Sequence, residues 1–155
     1  MEKNQKIIEI LQMIVSNLSQ QADGHTIQSR IFASKGYTKL AEKYAGHAEE
    51  ERENVVKCID RLLDLGCEVK IEAKEEVPVF TDPVEYIKYD LSVSKDEEGL
   101  KAMRELIELA SKVDYISHDI LRDYMIDEEE DTYWMEQQLE LIEVIGKQNW
   151  LIKQM

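Results

Sequence analysis

The sequence predicts an all-α protein, a single domain over residues 1–155 built as four long helices with a long crossover between the second and third and a short fifth helix at the C-terminus. Three observations carry that expectation. Only two Pro and six Gly interrupt a chain that is 43% apolar, too few breaks for a fold of many short strands. The chain divides into four segments of roughly thirty residues, well above the mean helix of about 11–12 residues, as an antiparallel bundle requires. The second and third segments are joined by roughly fifteen residues, enough to run the length of such a bundle, whereas the other links are short.

Each element follows from local signals. The first segment ends at Gly36, and its stripe of Leu11, Ile14, Leu18, Gln21 or Ala22, and His25 recurs at spacings of three and four. The second ends at Gly66 and shows a seam of Leu40, Tyr44, His47, Glu51, Asn54, Cys58 and Leu65, apolar at its ends and polar in its middle. Lys70 to Thr81 forms the crossover. Asp82 then supplies an N-cap, with Pro83 at the first helical position and Glu85 three residues on, so the third helix starts there. Its stripe of Ile87, Leu91 and Ser94 passes through the polar run Lys95 to Glu98 and resumes at Met103, Leu106 and Ala110. A soft break near Ala110 to Val113 leads to the fourth helix, with Leu121, Tyr124, Glu128, Asp131, Met135 and Leu139 in line. After Gly146 the tail Lys147 to Met155 reads as a short separate helix, and its Trp150, Leu151 and Ile152 need a partner surface.

Charge and cysteine usage exclude several function classes. With 19 Lys and Arg against 33 Asp and Glu the formal charge is −14, which opposes the phosphate contacts behind most nucleic-acid affinity and opposes anionic membranes. The polar start, Met1 to Lys6, and the interruptions Glu9, Gln12 and Ser16 argue against a signal peptide or membrane span. Cys58 and Cys67, nine residues apart, stand roughly 13 Å from each other if helical, so free thiols and a reducing, cytoplasmic compartment are expected.

The midpoints of the four segments fall near residues 19, 51, 96 and 128, which puts the polar interruptions of the seams at one height. Uncompensated buried carboxylates cost several kcal/mol each, so a layer holding Glu51, Glu128 and Asp131 calls for a cation, shared protons or water. No Lys lies on these seams. Two accounts are open here: a metal layer, or a hydrogen-bonded polar layer in which Asn54, Tyr44 and Tyr124 satisfy the acids.

Further stretches carry a resemblance. Ser29-Arg30-Ile31-Phe32, Ile59-Asp60-Arg61-Leu62, Asp90-Leu91, Tyr115-Ile116-Ser117, Asp127-Glu128-Glu129, Leu141-Ile142 and above all Gly146-Lys147-Gln148-Asn149-Trp150 make the chain similar to bacterioferritins over essentially its full length. The resemblance implies a ferritin-like bundle and a twenty-four-subunit hollow cage that stores iron. Carried over residue by residue, it matches Glu51 and Glu128 to the family's bridging glutamates. Asn54 and Asp131 stand where the family has its two histidine ligands, and Leu18 and Ser94 stand where it has terminal glutamates. A length difference of one residue near helix three would bring in Asp90, Glu97 or Glu98 instead of Ser94. The loss of both imidazoles argues against a standard di-iron centre. A shifted site could draw on His25, which stands where the family usually has a tyrosine, and on His47, together with Glu51 and Glu128. At the family's haem-ligand methionine this chain has Arg52, so haem is not expected. His118 has no such companions, and Met13, Met103 and Met135 are expected in the core.

The candidate metal residues are therefore Glu51, Glu128, Asp131, Asn54, His25 and His47, with iron bound weakly or at a shifted position. The acidic runs Glu49 to Glu53 and Asp127 to Asp131 are expected as solvated faces, one of which would line a cage cavity. Three functions compete: an iron-storing homo-oligomeric cage without standard ferroxidase chemistry, a structural subunit of a mixed cage that relies on a ferroxidase-competent partner, and a four-helix binding module unrelated to iron.

Overall fold

The computed structural model describes residues 2–72 and 75–155. Its helices, in chain order, are α1 (Glu2–Ser34), α2 (Thr38–Asp64), α3 (Pro83–Ser94), α4 (Glu97–Val113), α5 (Tyr115–Ile145) and α6 (Lys147–Lys153), with no strand among the described residues. None of these helices is long and apolar enough to cross a membrane.

α1 and α2 form a long antiparallel pair closed by a tight turn. Gly36 takes φ 87° there, a conformation that side-chain-bearing residues rarely adopt, and the amides of Gly36 and Tyr37 cap the carbonyls of Ala33 and Phe32. The third segment is not one helix. The run Lys95 to Glu98, expected within a continuous helix, is where the chain breaks and restarts. The Asp96 carboxylate accepts from the Gly99 amide at 3.1 Å and so caps α4, while α3 stops at Ser94. A short acid that binds backbone three residues on competes with helical hydrogen bonding, and here it wins. The break expected near Val113 is present, and Asp114 caps α5 through the Ser117 amide at 3.1 Å. Arg61 of α2 reaches the same junction, donating to Asp114 at 2.6 Å and to Ser117 Oγ at 3.0 Å, and so ties the end of α2 to the α4–α5 corner. At the start of α3, Asp82 caps Val84 as expected, and its other oxygen takes Lys147.

The tail finds its partner surface within its own chain. Trp150 is fully buried and its indole donates to Gln138 at 2.9 Å, while the Lys39 amide donates to the Gln154 carbonyl at 2.9 Å. Ile152 and Met155 remain exposed. Apolar packing falls into two clusters. One gathers Ile7, Leu11, Leu18, Cys58, Leu62, Leu106 and Leu121, the other Phe32, Leu40, Tyr44, Ile87, Met135 and Trp150. Each fully buried large side chain contributes about 1.5–3 kcal/mol, so the bundle is held from both ends and can carry a polar layer between them. Both cysteines are free thiols, and burial pushes Cys58 up to about 12. Of the methionines expected in the core, Met135 is buried, but Met13 is half exposed because it borders a cavity.

The described residues of the crossover form no regular secondary structure, yet they are registered along α1 by three glutamines. Gln12 donates to the Lys70 carbonyl and accepts from the Lys70 amide, both at 2.9 Å. Gln28 does the same with Phe80, at 2.9 and 2.8 Å, and Gln20 donates to the Glu75 carbonyl at 2.7 Å. A glutamine amide carries one donor and one acceptor side by side, so it pairs with an extended chain as a peptide group would. We expect the amides of Lys70 and Phe80 to be protected from hydrogen exchange. Gln28→Leu should abolish protection at Phe80 alone and cost about 1–3 kcal/mol by leaving a half-buried amide and carbonyl unpaired. Unchanged exchange at Phe80 in that variant would rule out the pairing.

Candidate functional site

At mid-height the bundle does hold a polar layer, and a histidine lies at its centre. His25, on the buried stripe of α1, is 2% exposed. Its Nδ1 lies 2.6 Å from Glu51 Oε1 on α2, and its Nε2 lies 2.9 Å from Asp90 Oδ2 on α3. Both ring nitrogens meet carboxylate oxygens, so both carry protons and the ring is an imidazolium. Burial alone would lower its pKa, but the hydrogen bonds and charges of Asp90 and Glu51 outweigh that and lift it to about 10. Burial raises Glu51, with His25 opposing the rise.

The remaining acids lack such a partner. Glu128 is pushed up to about 8 by burial and by the charges of Glu51, Asp131 and Asp90. Asp131 is pushed up to about 7 by burial and by Glu50 and Glu51. His47 Nε2 stands 3.5 Å from Asp131 Oδ1, too far for a hydrogen bond, and neither of its ring nitrogens has a partner. Burial and the charge of His25 drop His47 to about 3, so it is neutral and offers a lone pair. Tyr44 Oη and Glu51 Oε2 are likewise buried without partners. Rings enclose this side of the layer: Tyr44 stands 5.3 Å from His25, 5.2 Å from His47 and 5.8 Å from Trp134.

The hydrogen-bonded alternative fails in its detail. Asn54 donates to Asp127 at 2.9 Å, outside the three acids it was expected to satisfy, and the Tyr44 hydroxyl pairs with nothing. Leu18 is buried in the apolar cluster and Ser94 ends α3. Of the shifted set, His25 contacts Glu51 but turns its other nitrogen to Asp90, while His47 faces Asp131. Among the described residues, no three His, Cys, Asp or Glu side chains are grouped so as to hold one metal ion as placed. Arg52 lies on the outer face and pairs with Asp23 at 2.6 Å. His118 stands apart, beside Asp119. Asp90 was weighed only as an alternative for helix three, although it shares a stripe with Ile87 and Ser94. Sequence reasoning missed its role as counter-ion because nothing local links it to His25, sixty-five residues away.

The layer makes stability depend on pH. His25 titrates near 6.5 when unfolded and near 10 when folded. Its stabilisation is complete below 6.5 and is lost as pH rises through about 10, at up to about 1.4 kcal/mol per pH unit. Glu128 and Asp131 act with the same sign up to about 8 and about 7, and His47 is neutral in both states above 6.5. Urea midpoints at pH 7 and pH 9 should therefore fall more for the native chain than for His25→Gln. At pH 7 that variant should lose about 3–5 kcal/mol, because two buried acids lose their cation. Equal losses on raising the pH would contradict an imidazolium at this position.

The described fold agrees with what the chain is similar to. The ferritin-like domain family matches residues 8–145. A bacterial ferritin of Neisseria meningitidis serogroup A is 36% identical over 157 aligned residues, covering 100% of both chains. One from Pseudomonas aeruginosa is 30% identical with 99% of both covered, and a bacterioferritin of Rhodobacter capsulatus is 25% identical over 98% of this chain and 94% of its own. With a family match over most of its length and relatives aligned from end to end, the chain belongs to the ferritin-like family.

Proposed function

We propose that the chain is a subunit of an iron-storing cage that collects and mineralises iron without a standard di-iron ferroxidase centre. The observation that carries this reading is the His25 imidazolium held between Glu51 and Asp90. A positive ring occupies one face of a carboxylate that would otherwise bridge two metals. Two irons that together reduce one oxygen molecule need terminal donors as well as bridging carboxylates. Leu18 has no donor atom, Ser94 offers only a neutral hydroxyl, and the Asn54 amide is engaged by Asp127. The residues present do not fit a di-iron pair.

A single iron taken as cargo would be held only if the layer's donors drew together around it: the free oxygen of Glu51, the Glu128 and Asp131 carboxylates and the His47 lone pair. Asn54 and His25 complete the candidate set only by giving up their present partners. The acidic runs Glu49 to Glu53 and Asp127 to Asp131 would concentrate cations on a cavity face. Assembly into a homo-oligomeric cage of twenty-four subunits accounts for large apolar side chains left in water, among them Val144 at 81% exposure and Tyr115 at 77%. Free thiols fit a cytoplasmic setting. A mixed cage is favoured by one feature: both bridging acids remain while the terminal donors are gone, as in a subunit that relies on a ferroxidase-competent partner.

Stopped-flow oxidation of Fe(II) by the purified assembly should show slow, mineral-like growth and no rapid phase saturating at two irons per chain. A saturable burst of that size would overturn the reading. Leu18→Glu, Asn54→His, Ser94→Glu and Asp131→His combined with His25→Tyr should create one. In sedimentation a monomer or simple dimer at micromolar concentration would exclude an autonomous cage. Absorbance should show no stoichiometric Soret band, since Arg52 cannot act as a thioether ligand, and a band from two methionine-type axial ligands would refute that placement.

A further inference from the structure

We infer that the cavity opened by the break between α3 and α4 is a binding site for a small apolar amine, with its ammonium head on Glu128 and its hydrocarbon body along α1 and α4. The cavity measures about 450 Å³ and is bounded by α1, the crossover at Val77 and Pro78, the α3–α4 break, and α5. That size lies within the about 300–1,000 Å³ range of small-molecule sites. Its lining includes Leu18 and Ser94, two of the residues that make the layer unsuited to two irons. Leu18 lines it with apolar surface, and Ser94 and Asp96, at the break between α3 and α4, border it.

The lining selects the ligand's charge. It contains three carboxylates, Asp90, Asp96 and Glu128, and no Lys, Arg or His. Asp90 already holds His25 and Asp96 already caps Gly99. Glu128 has no side-chain hydrogen bond among the described residues, and burial with the charges of Glu51, Asp131 and Asp90 pushes it up to about 8. A cation that can donate to Glu128 favours its ionised form, so an ammonium head binds there as the acid gives up its proton. Three tyrosines, Tyr86, Tyr89 and Tyr124, also border the space, and aromatic faces favour an ammonium over a neutral group.

The remaining lining selects the body. Ile10, Ile14 and Leu100 are aliphatic, and Met13, Met103 and Met125, half of the chain's six methionines, add a polarizable, adaptable surface. From within the cavity a bare metal ion would meet Glu128 and apolar side chains, since Glu51, Asp131 and His47 of the layer are not in its lining. A hydrophobic amine satisfies both ends. This inference stands apart from the iron-storage reading, since its measurement involves no iron.

The test uses the purified full-length assembly and two near-isosteric probes, 1-naphthylmethylamine and 1-naphthalenemethanol, titrated by calorimetry and fluorescence at low salt. The amine should saturate at one per chain and bind about tenfold or more tighter than the alcohol, as for a charged against a neutral hydrogen bond. Glu128→Gln should bring the amine down to the affinity of the alcohol while leaving the alcohol unchanged. Ala102→Trp, at an exposed lining position outside the core, should abolish binding of both with helicity and assembly intact. Absence of amine binding, equal binding of the two probes by the native chain, or amine binding untouched by either substitution would overturn the proposal. A folding defect in Glu128→Gln leaves the native-chain comparison and Ala102→Trp to decide.

Discussion

Glu51 on α2 and Asp90 on α3 converge on one imidazole from α1, and much else in the bundle follows from keeping that arrangement intact. Each acid alone would be costly to bury, and a charged ring that donates from both nitrogens compensates the pair at once. The requirement is geometric as much as electrostatic. Three helices must hold their rotations and heights so that two oxygens lie on opposite sides of one ring, and the apolar clusters on either side supply that rigidity. The charge also acts on its neighbours: it helps keep His47 neutral, whereas Glu128 and Asp131 lie beyond its hydrogen bonds and are left raised.

Most of the scaffold was legible because its signals are local. Gly36, Gly66 and Gly146 each take positive φ at the breaks the sequence marks, Asp82 and Pro83 start α3, and the stripes of α1 and α2 face inward as their spacing requires. The break at Asp96 was hidden because a run such as Lys95 to Glu98 is also what an exposed helical face looks like, although Asp96 with Gly99 three residues on was a capping signal. The acids of the layer could be found from their places on apolar stripes. Which ones pair could not, because whether a histidine supplies a lone pair or a positive charge depends on groups from distant segments. His25 and His47 had looked like equivalent replacement ligands, yet the fold makes one a cation and the other a neutral ring.

Leu18 on α1 and the break at Asp96 border the same side of the bundle. Leu18 brings its own demand for apolar contact and joins the cluster of Leu11, Cys58 and Leu62 beside the layer. Asp96 starts a new helix by capping Gly99, and Lys95 pairs with Glu136 on α5. The outcome is a bundle whose polar layer is neutralised from within on the α1–α2–α3 side and left open on the side of α5.

The glutamine rungs along α1 define a measuring device. Gln12, Gln20 and Gln28 are eight residues apart on a helix, a step of about 12 Å, and they meet the crossover every five residues, which sets its advance at about 2.4 Å per residue. Because the contacts are to main-chain atoms, they gauge the crossover's length whatever side chains it carries. One residue gained between Lys70 and Glu75 would throw the later rungs out of phase, as a vernier slips by one division. The segment that looks least structured is thereby the one whose residue count is most tightly gauged.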